Sequence, residues 1–105
     1  YADWVGEEVG LRIETFGHAG DGNMHINLIR DDLDEGEWKA RVDRGMDLLY
    51  QKAEELDGMV SGEHGIGHSK RRYLCQYTDP RQLELMRQIK AVFDPGGILN
   101  PETIL

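Results

Sequence analysis

Cysteine is almost missing from this 105-residue chain: Cys75 stands by itself, which excludes an intramolecular disulfide and points to a reducing compartment. Basic residues are scarce as well, twelve against twenty acidic ones, for a formal charge of −8. So acidic a chain is poorly suited to wrapping a nucleic-acid backbone or lying on an anionic membrane, and no nucleic-acid partner is expected. Long apolar runs are lacking. None exceeds three residues, far short of the roughly 20 that cross a bilayer, so no transmembrane segment is expected. No signal-peptide pattern opens the sequence, and the expected location is cytoplasmic, with a membrane-peripheral place for the intact protein as the alternative. An initiator methionine is absent too. Tyr1 comes first, and Trp4, Val5 and Val9 read like the end of a helix, as expected of a piece of a larger protein.

What the chain has in quantity is glycine, 13 residues, gathered largely at Gly17, Gly20 and Gly22, at Gly58, Gly62, Gly65 and Gly67, and at Gly96 and Gly97. Glycine costs conformational entropy and is used where φ is positive or a backbone must come close to something. His18, His25, His64 and His68 sit in or beside the first two clusters.

From Leu11 to Arg30 the apolar period is two, the signature of half-buried strands. Leu11 and Ile13 share one side of a first strand, with Glu14, Phe16 and His18 on the other. Met24, Ile26 and Leu28 form the apolar side of a second, with His25, Asn27 and Ile29 opposite. Asp21-Gly22 between them predicts a two-residue hairpin turn, in which His18 faces His25, Phe16 faces Asn27 and Ala19 faces Met24. Both histidines then lie on the polar face.

Trp38, Val42, Met46, Leu49, Ala53 and Leu56 predict an amphipathic helix over 34–56, with Asp34 and Glu37 as a capping box. Met59–Ser61 is a candidate buried strand, and a short helix is expected around 69–76. Thr78-Asp79-Pro80 starts a last helix whose inner side is Leu83, Met86, Ile89 and Phe93. The expected fold class is α+β, an antiparallel sheet with helices on one face, in a single domain over 1–105. The histidine face is left for solvent, a ligand or another domain.

Two imidazoles and a carboxylate suit zinc, iron, manganese or cobalt, with positions left open for substrate. His18, His25 and Glu63 are the expected ligands, and neighbouring His64 is left free as a base. Glu63 and His64 would point opposite ways in a regular strand, but Gly62 and Gly65 permit an irregular backbone. Lys70, Arg71 and Arg72 hold a substrate carboxylate or a flavin phosphate, or form a solvated helix face, and His68 is read as structural. Cys75 is expected to be a small buried hydrophobe. Two other classes compete: a metal-dependent hydrolase in which Glu63 activates water, and a non-catalytic interaction module.

The runs Gly17-His18-Ala19-Gly20-Asp21-Gly22-Asn23-Met24-His25, Ser61-Gly62-Glu63-His64-Gly65-Ile66-Gly67, Asp94-Pro95 and Leu99-Asn100-Pro101 together resemble the C-terminal domain of FAD-linked oxidases. This is the group of glycolate oxidase, D-lactate dehydrogenase and D-2-hydroxyglutarate dehydrogenase, in the vanillyl-alcohol oxidase superfamily. The resemblance implies the last half of a ferredoxin-like substrate (cap) domain, a piece lacking an N-terminal FAD-binding domain that would be its partner in the same protein. It implies oxidation of a D-2-hydroxy acid to the 2-oxo acid by hydride transfer to FAD, with glycolate or D-lactate as examples and the isolated piece inactive. The positions of His18, His25 and Glu63 would bind a divalent ion, zinc first, with iron or manganese as alternatives. Asn27 would lie in the substrate pocket, His64 would be the base, and Asn100 would approach the flavin. Glu102-Thr103 replaces the Gly-Lys common in relatives, so no lysine role carries over, and Asp57 stands where a second glycine is common. A half-built sheet edge would favour self-association of the isolated piece.

Overall fold

The computed structural model describes residues 1–101 and Thr103. The chain divides into two compact units, Tyr1–Asp57 and Gly58 onward. The class is α+β, four helices and an antiparallel pair of strands. No helix among the described residues is long and apolar enough to cross a membrane.

In the first unit, helix α1 (Ala2–Val9) ends at Gly10, whose left-handed φ of 68° lets the chain reverse into strand β1 (Arg12–His18). Val5 and Val9, four residues apart, share a helix face and form the buried core with Leu11. Ile13, Leu28, Leu33, Trp38, Val42, Leu48 and Leu49 pack around them. At about 1.5–3 kcal/mol for each fully buried aliphatic side chain, this cluster is the unit's main source of stability. Strand β2 (Asn23–Ile29) pairs with β1, and helix α2 (Glu35–Glu55) supplies Trp38, Val42, Leu48 and Leu49. Asp34 caps α2 by accepting hydrogen bonds from the Gly36 and Glu37 amides at 2.8 and 3.0 Å. The Glu37 amide chiefly, and that of Gly36 after burial's opposing effect, hold the Asp34 carboxyl below the usual carboxylate range. The Arg41 guanidinium donates to the Gly10 carbonyl at 2.9 Å and so ties α2 to the end of α1.

The hairpin keeps its expected faces but not its expected register. Phe16 pairs with His25, Glu14 with Asn27, and His18 with Asn23, so the His18–His25 pairing is corrected to a diagonal one. Asp21 does not take the positive φ that a two-residue type I′ turn demands; only Gly22 does, at 62°. Ala19–Asp21 instead form a 3₁₀ turn, closed by the Gly22 amide on the Ala19 carbonyl at 3.3 Å. The loop is two residues longer than expected, and an even shift leaves every side chain on its own face. Ile13 and Leu28 thus point to the core, while Phe16, His18, His25 and Asn27 line the opposite face.

The second unit carries helices α3 (Arg71–Tyr77) and α4 (Pro80–Phe93), with Tyr73, Leu74, Leu83 and Asp94 buried. Asp79 caps α4 through the Arg81 amide at 2.7 Å, with Pro80 in the first turn, as its sequence requires. Three expectations fail here. Met59–Ser61 forms no strand, and Met59 is 75 % exposed, so this stretch lacks the burial that its apolar residues predict. Cys75 is exposed, since two residues after Tyr73 the helical rotation carries it to the opposite side of α3 from that buried ring. Ile89 and Phe93 are also exposed; together with Leu85 and Val92 they leave one side of α4 apolar and open.

Candidate metal and substrate site

The four-residue hairpin loop holds His18 at the end of β1 and His25 two residues into β2, on the face away from the core. Their ring centroids are 6.2 Å apart with planes at 68°, and one nitrogen of each comes within 4.8 Å of the other's. Two imidazoles on one tetrahedral zinc place their nitrogens about 3.4 Å apart, from metal–nitrogen bonds near 2.0–2.1 Å. With His25 stacked on Phe16, the exposed His18 side chain is the one with room to shorten that distance, and the pair offers two nitrogen donors of the kind a divalent cation takes. Phe16 lies flat on His25, with centroids 4.8 Å apart and planes only 9° from parallel. Asn27 shares this face and is exposed, one alternation along the strand from His25.

In the second unit, residues 61–67 are irregular, as their glycines permit. Gly65 and Gly67 have φ of 73° and 56°, and the Ser61 hydroxyl donates to the Gly65 carbonyl at 3.1 Å, closing the turn around Glu63 and His64. Inside it, His64 Nε2 is 3.7 Å from Glu63 Oε1, and both side chains reach solvent.

Asn100 lies in the segment after α4, exposed, with a positive φ of 44°. That segment is organised by Asp94, whose carboxylate accepts from the Ile98 and Leu99 amides at 2.9 and 3.1 Å and from Lys90 Nζ at 2.6 Å. The Lys90 ammonium above all, and then the two amides, hold the Asp94 carboxyl below its ordinary range against the opposing cost of burial.

Residues 4–104 match the family described as FAD linked oxidases, C-terminal domain. The chain belongs to that family. It is 49 % identical over 104 residues to a D-lactate dehydrogenase of Anaerostipes hadrus, covering 99 % of this chain and 22 % of the relative. It is 39 % identical over 102 residues to a D-2-hydroxyglutarate dehydrogenase of Stutzerimonas stutzeri, covering 95 % of this chain and 22 % of that protein. A glycolate oxidase subunit GlcD of Bacillus subtilis is 39 % identical over 97 residues, covering 92 % of this chain and 20 % of the relative. This FAD-linked oxidase domain therefore spans about a fifth of the length of the curated relatives it matches.

Sequence reasoning misses two residues that shape the site. Phe16 falls on the histidine face but receives no part there, although an aromatic side chain on a polar, uncovered face is itself a signal. Asp94 enters only through the Asp94-Pro95 run of the resemblance, with no role of its own. The signal it carries is an aspartate ahead of Pro95-Gly96-Gly97, where a tight turn leaves amides in need of an acceptor.

Proposed function

We propose that this FAD-linked oxidase C-terminal domain is the metal- and substrate-binding part of a flavoenzyme that oxidises a D-2-hydroxy acid to the 2-oxo acid. The observation that carries the reading is the pair His18 and His25, converging on the uncovered face of the hairpin in a chain of this family. Glu63 supplies the third ligand, and its carboxylate offsets part of a divalent charge that two neutral imidazoles leave in place. When bound, the ion, zinc first and iron or manganese otherwise, acts as a Lewis acid that lowers the pKa of the substrate hydroxyl. A flavin held mainly by a domain outside this chain would supply the hydride acceptor. His64 takes the hydroxyl proton, so that loss of H⁺ and of hydride together leave the carbonyl of the 2-oxo acid. Asn27, alternating with His25 along β2, offers its side-chain amide to the substrate carboxylate. Asn100 approaches the flavin from the turn that Asp94 organises.

The relatives' greater length supports a partner domain in the same protein, and the open side of α4 is the surface we assign to it. We place the protein in the cytoplasm, with a membrane-peripheral place for the intact enzyme as the alternative.

The reading is tested in two steps. The chain is titrated with zinc or manganese alongside His18→Ala and His25→Ala; unchanged tight binding in both variants would remove the ligand set. In the intact enzyme His64→Ala should lower turnover roughly 10²–10⁴-fold, the usual worth of a general base. A loss under tenfold takes His64 out of that role. Flavin-independent ester cleavage by the chain itself would favour a hydrolase instead.

A further inference from the structure

We infer that Phe16 is a positioning residue for the metal site: its ring fixes the plane of the His25 imidazole before any ion arrives. The inference rests on the metal reading above. Phe16 and His25 are direct cross-strand partners, so the hairpin itself sets their spacing. Their rings are 4.8 Å apart and 9° from parallel, while His18 meets His25 edge-on at 68°. Rotation of His25 about its Cβ–Cγ bond would break the stack, so the two ring nitrogens are confined to one plane. Phe16 keeps 57 % of its surface exposed. An aromatic ring left so open adds little to the core, whose residues lie on the other face. Ordering a flexible ligand side chain on binding costs free energy, and a side chain already ordered avoids that cost. An aromatic stack of this kind corresponds to roughly two- to tenfold in an equilibrium constant.

The test uses cobalt(II) titration of the chain, read by visible absorption and checked by zinc competition, together with proton NMR of the metal-free protein. Phe16→Leu should weaken cobalt binding roughly two- to tenfold. Phe16→Tyr, which keeps the ring face, should restore it. In the metal-free wild type the His25 ring protons should be shifted upfield by the Phe16 ring current, and Phe16→Leu should return them to ordinary positions. That signal needs no metal and no folded variant beyond the wild type to be read.

Unshifted His25 ring protons in the wild type would overturn the inference. So would full affinity in Phe16→Leu alongside lost affinity in His25→Ala, or an equal loss in Phe16→Tyr. If His18→Ala and His25→Ala both bind cobalt as the wild type does, the metal reading fails first and takes this inference with it.

Discussion

The Lys90 ammonium bridges the Asp94 carboxylate, at 2.6 Å, and the Leu99 carbonyl, at 3.2 Å, joining the last turn of α4 to the segment that leads to Asn100. Asp94 in turn accepts from the Ile98 and Leu99 amides, so one carboxylate and one ammonium hold both ends of the Pro95–Gly97 turn. Replacing Asp94 by Asn keeps the size of the side chain but removes the charge that Lys90 meets. The Ile98 and Leu99 amides should then exchange with solvent at least about tenfold faster, by hydrogen-exchange NMR, because local opening sets such rates. Unchanged protection would show that the turn holds itself.

The same carboxylate gives a pH dependence with a definite sign. Its folded-state pKa lies below the unfolded value, so its contribution is complete above roughly pH 4 and disappears as pH falls through the depressed value. The melting temperatures of the wild type and Asp94→Asn should therefore differ by a constant amount at neutral pH and converge in strong acid. Parallel curves down to about pH 2 would contradict the assignment.

Asp57 closes α2 with a φ of 56°, a left-handed conformation that suits glycine better than a residue with a Cβ. Asp57→Gly relieves that strain but adds freedom to the unfolded chain, and the two effects oppose each other. The expected net is a stabilisation of about 0.5 kcal/mol, measured by urea unfolding, with metal affinity unchanged. A destabilisation would mean that the aspartate side chain does more for the helix end than its backbone costs.

The faces of the hairpin are legible in the sequence because side-chain alternation survives any even shift in pairing. The register is not. It depends on whether Asp21 takes a positive φ, and aspartate is at home in a 3₁₀ turn as well as in a type I′ turn. Helix α2 is legible almost to the residue, since Asp34 and the apolar stripe agree. Helix α4 is legible in extent but not in which side is buried. Leu83 is covered while Ile89 and Phe93 are open, and helical spacing marks an apolar side without saying what lies over it. Glu63 and His64 stand out through the glycines around them, whereas Phe16 is visible on the right face and its contact with His25 is hidden by the register.

The open side of α4 has a consequence for the chain in isolation. Val92 and Phe93 are 76 % and 78 % exposed, with Leu85 and Ile89 beside them, a grouping that water disfavours. A second copy of the chain should cover it when the partner domain is absent. Light scattering should show a dimer or larger species, and Val92→Glu with Phe93→Glu should return it to monomer without loss of helix by circular dichroism. A wild-type chain that is monomeric at high concentration would remove this surface from any role in assembly.

Gly17 pairs with Met24 between the Phe16–His25 and His18–Asn23 pairs, so its backbone joins the two histidine-bearing positions although its own face is the opposite one. A Cβ placed there would sit 2.1 Å from the Asn23 carbonyl oxygen and 3.1 Å from the Met24 Cα. Both are backbone atoms and cannot swing aside, so Gly17→Ala must part the strands at that point. The expected cost is about 2–3 kcal/mol of stability, in the range of severe steric substitutions. Parting the strands also separates His18 from His25, so cobalt binding should fall further than in Phe16→Leu. Gly45 provides the control: a Cβ there meets Leu28 Cδ2 at 2.8 Å, the far end of a side chain in the core that can rotate away. Gly45→Ala should therefore cost less stability and leave cobalt affinity intact. Equal metal affinity in Gly17→Ala and the wild type would mean that the two histidines do not act as a pair held by this hairpin.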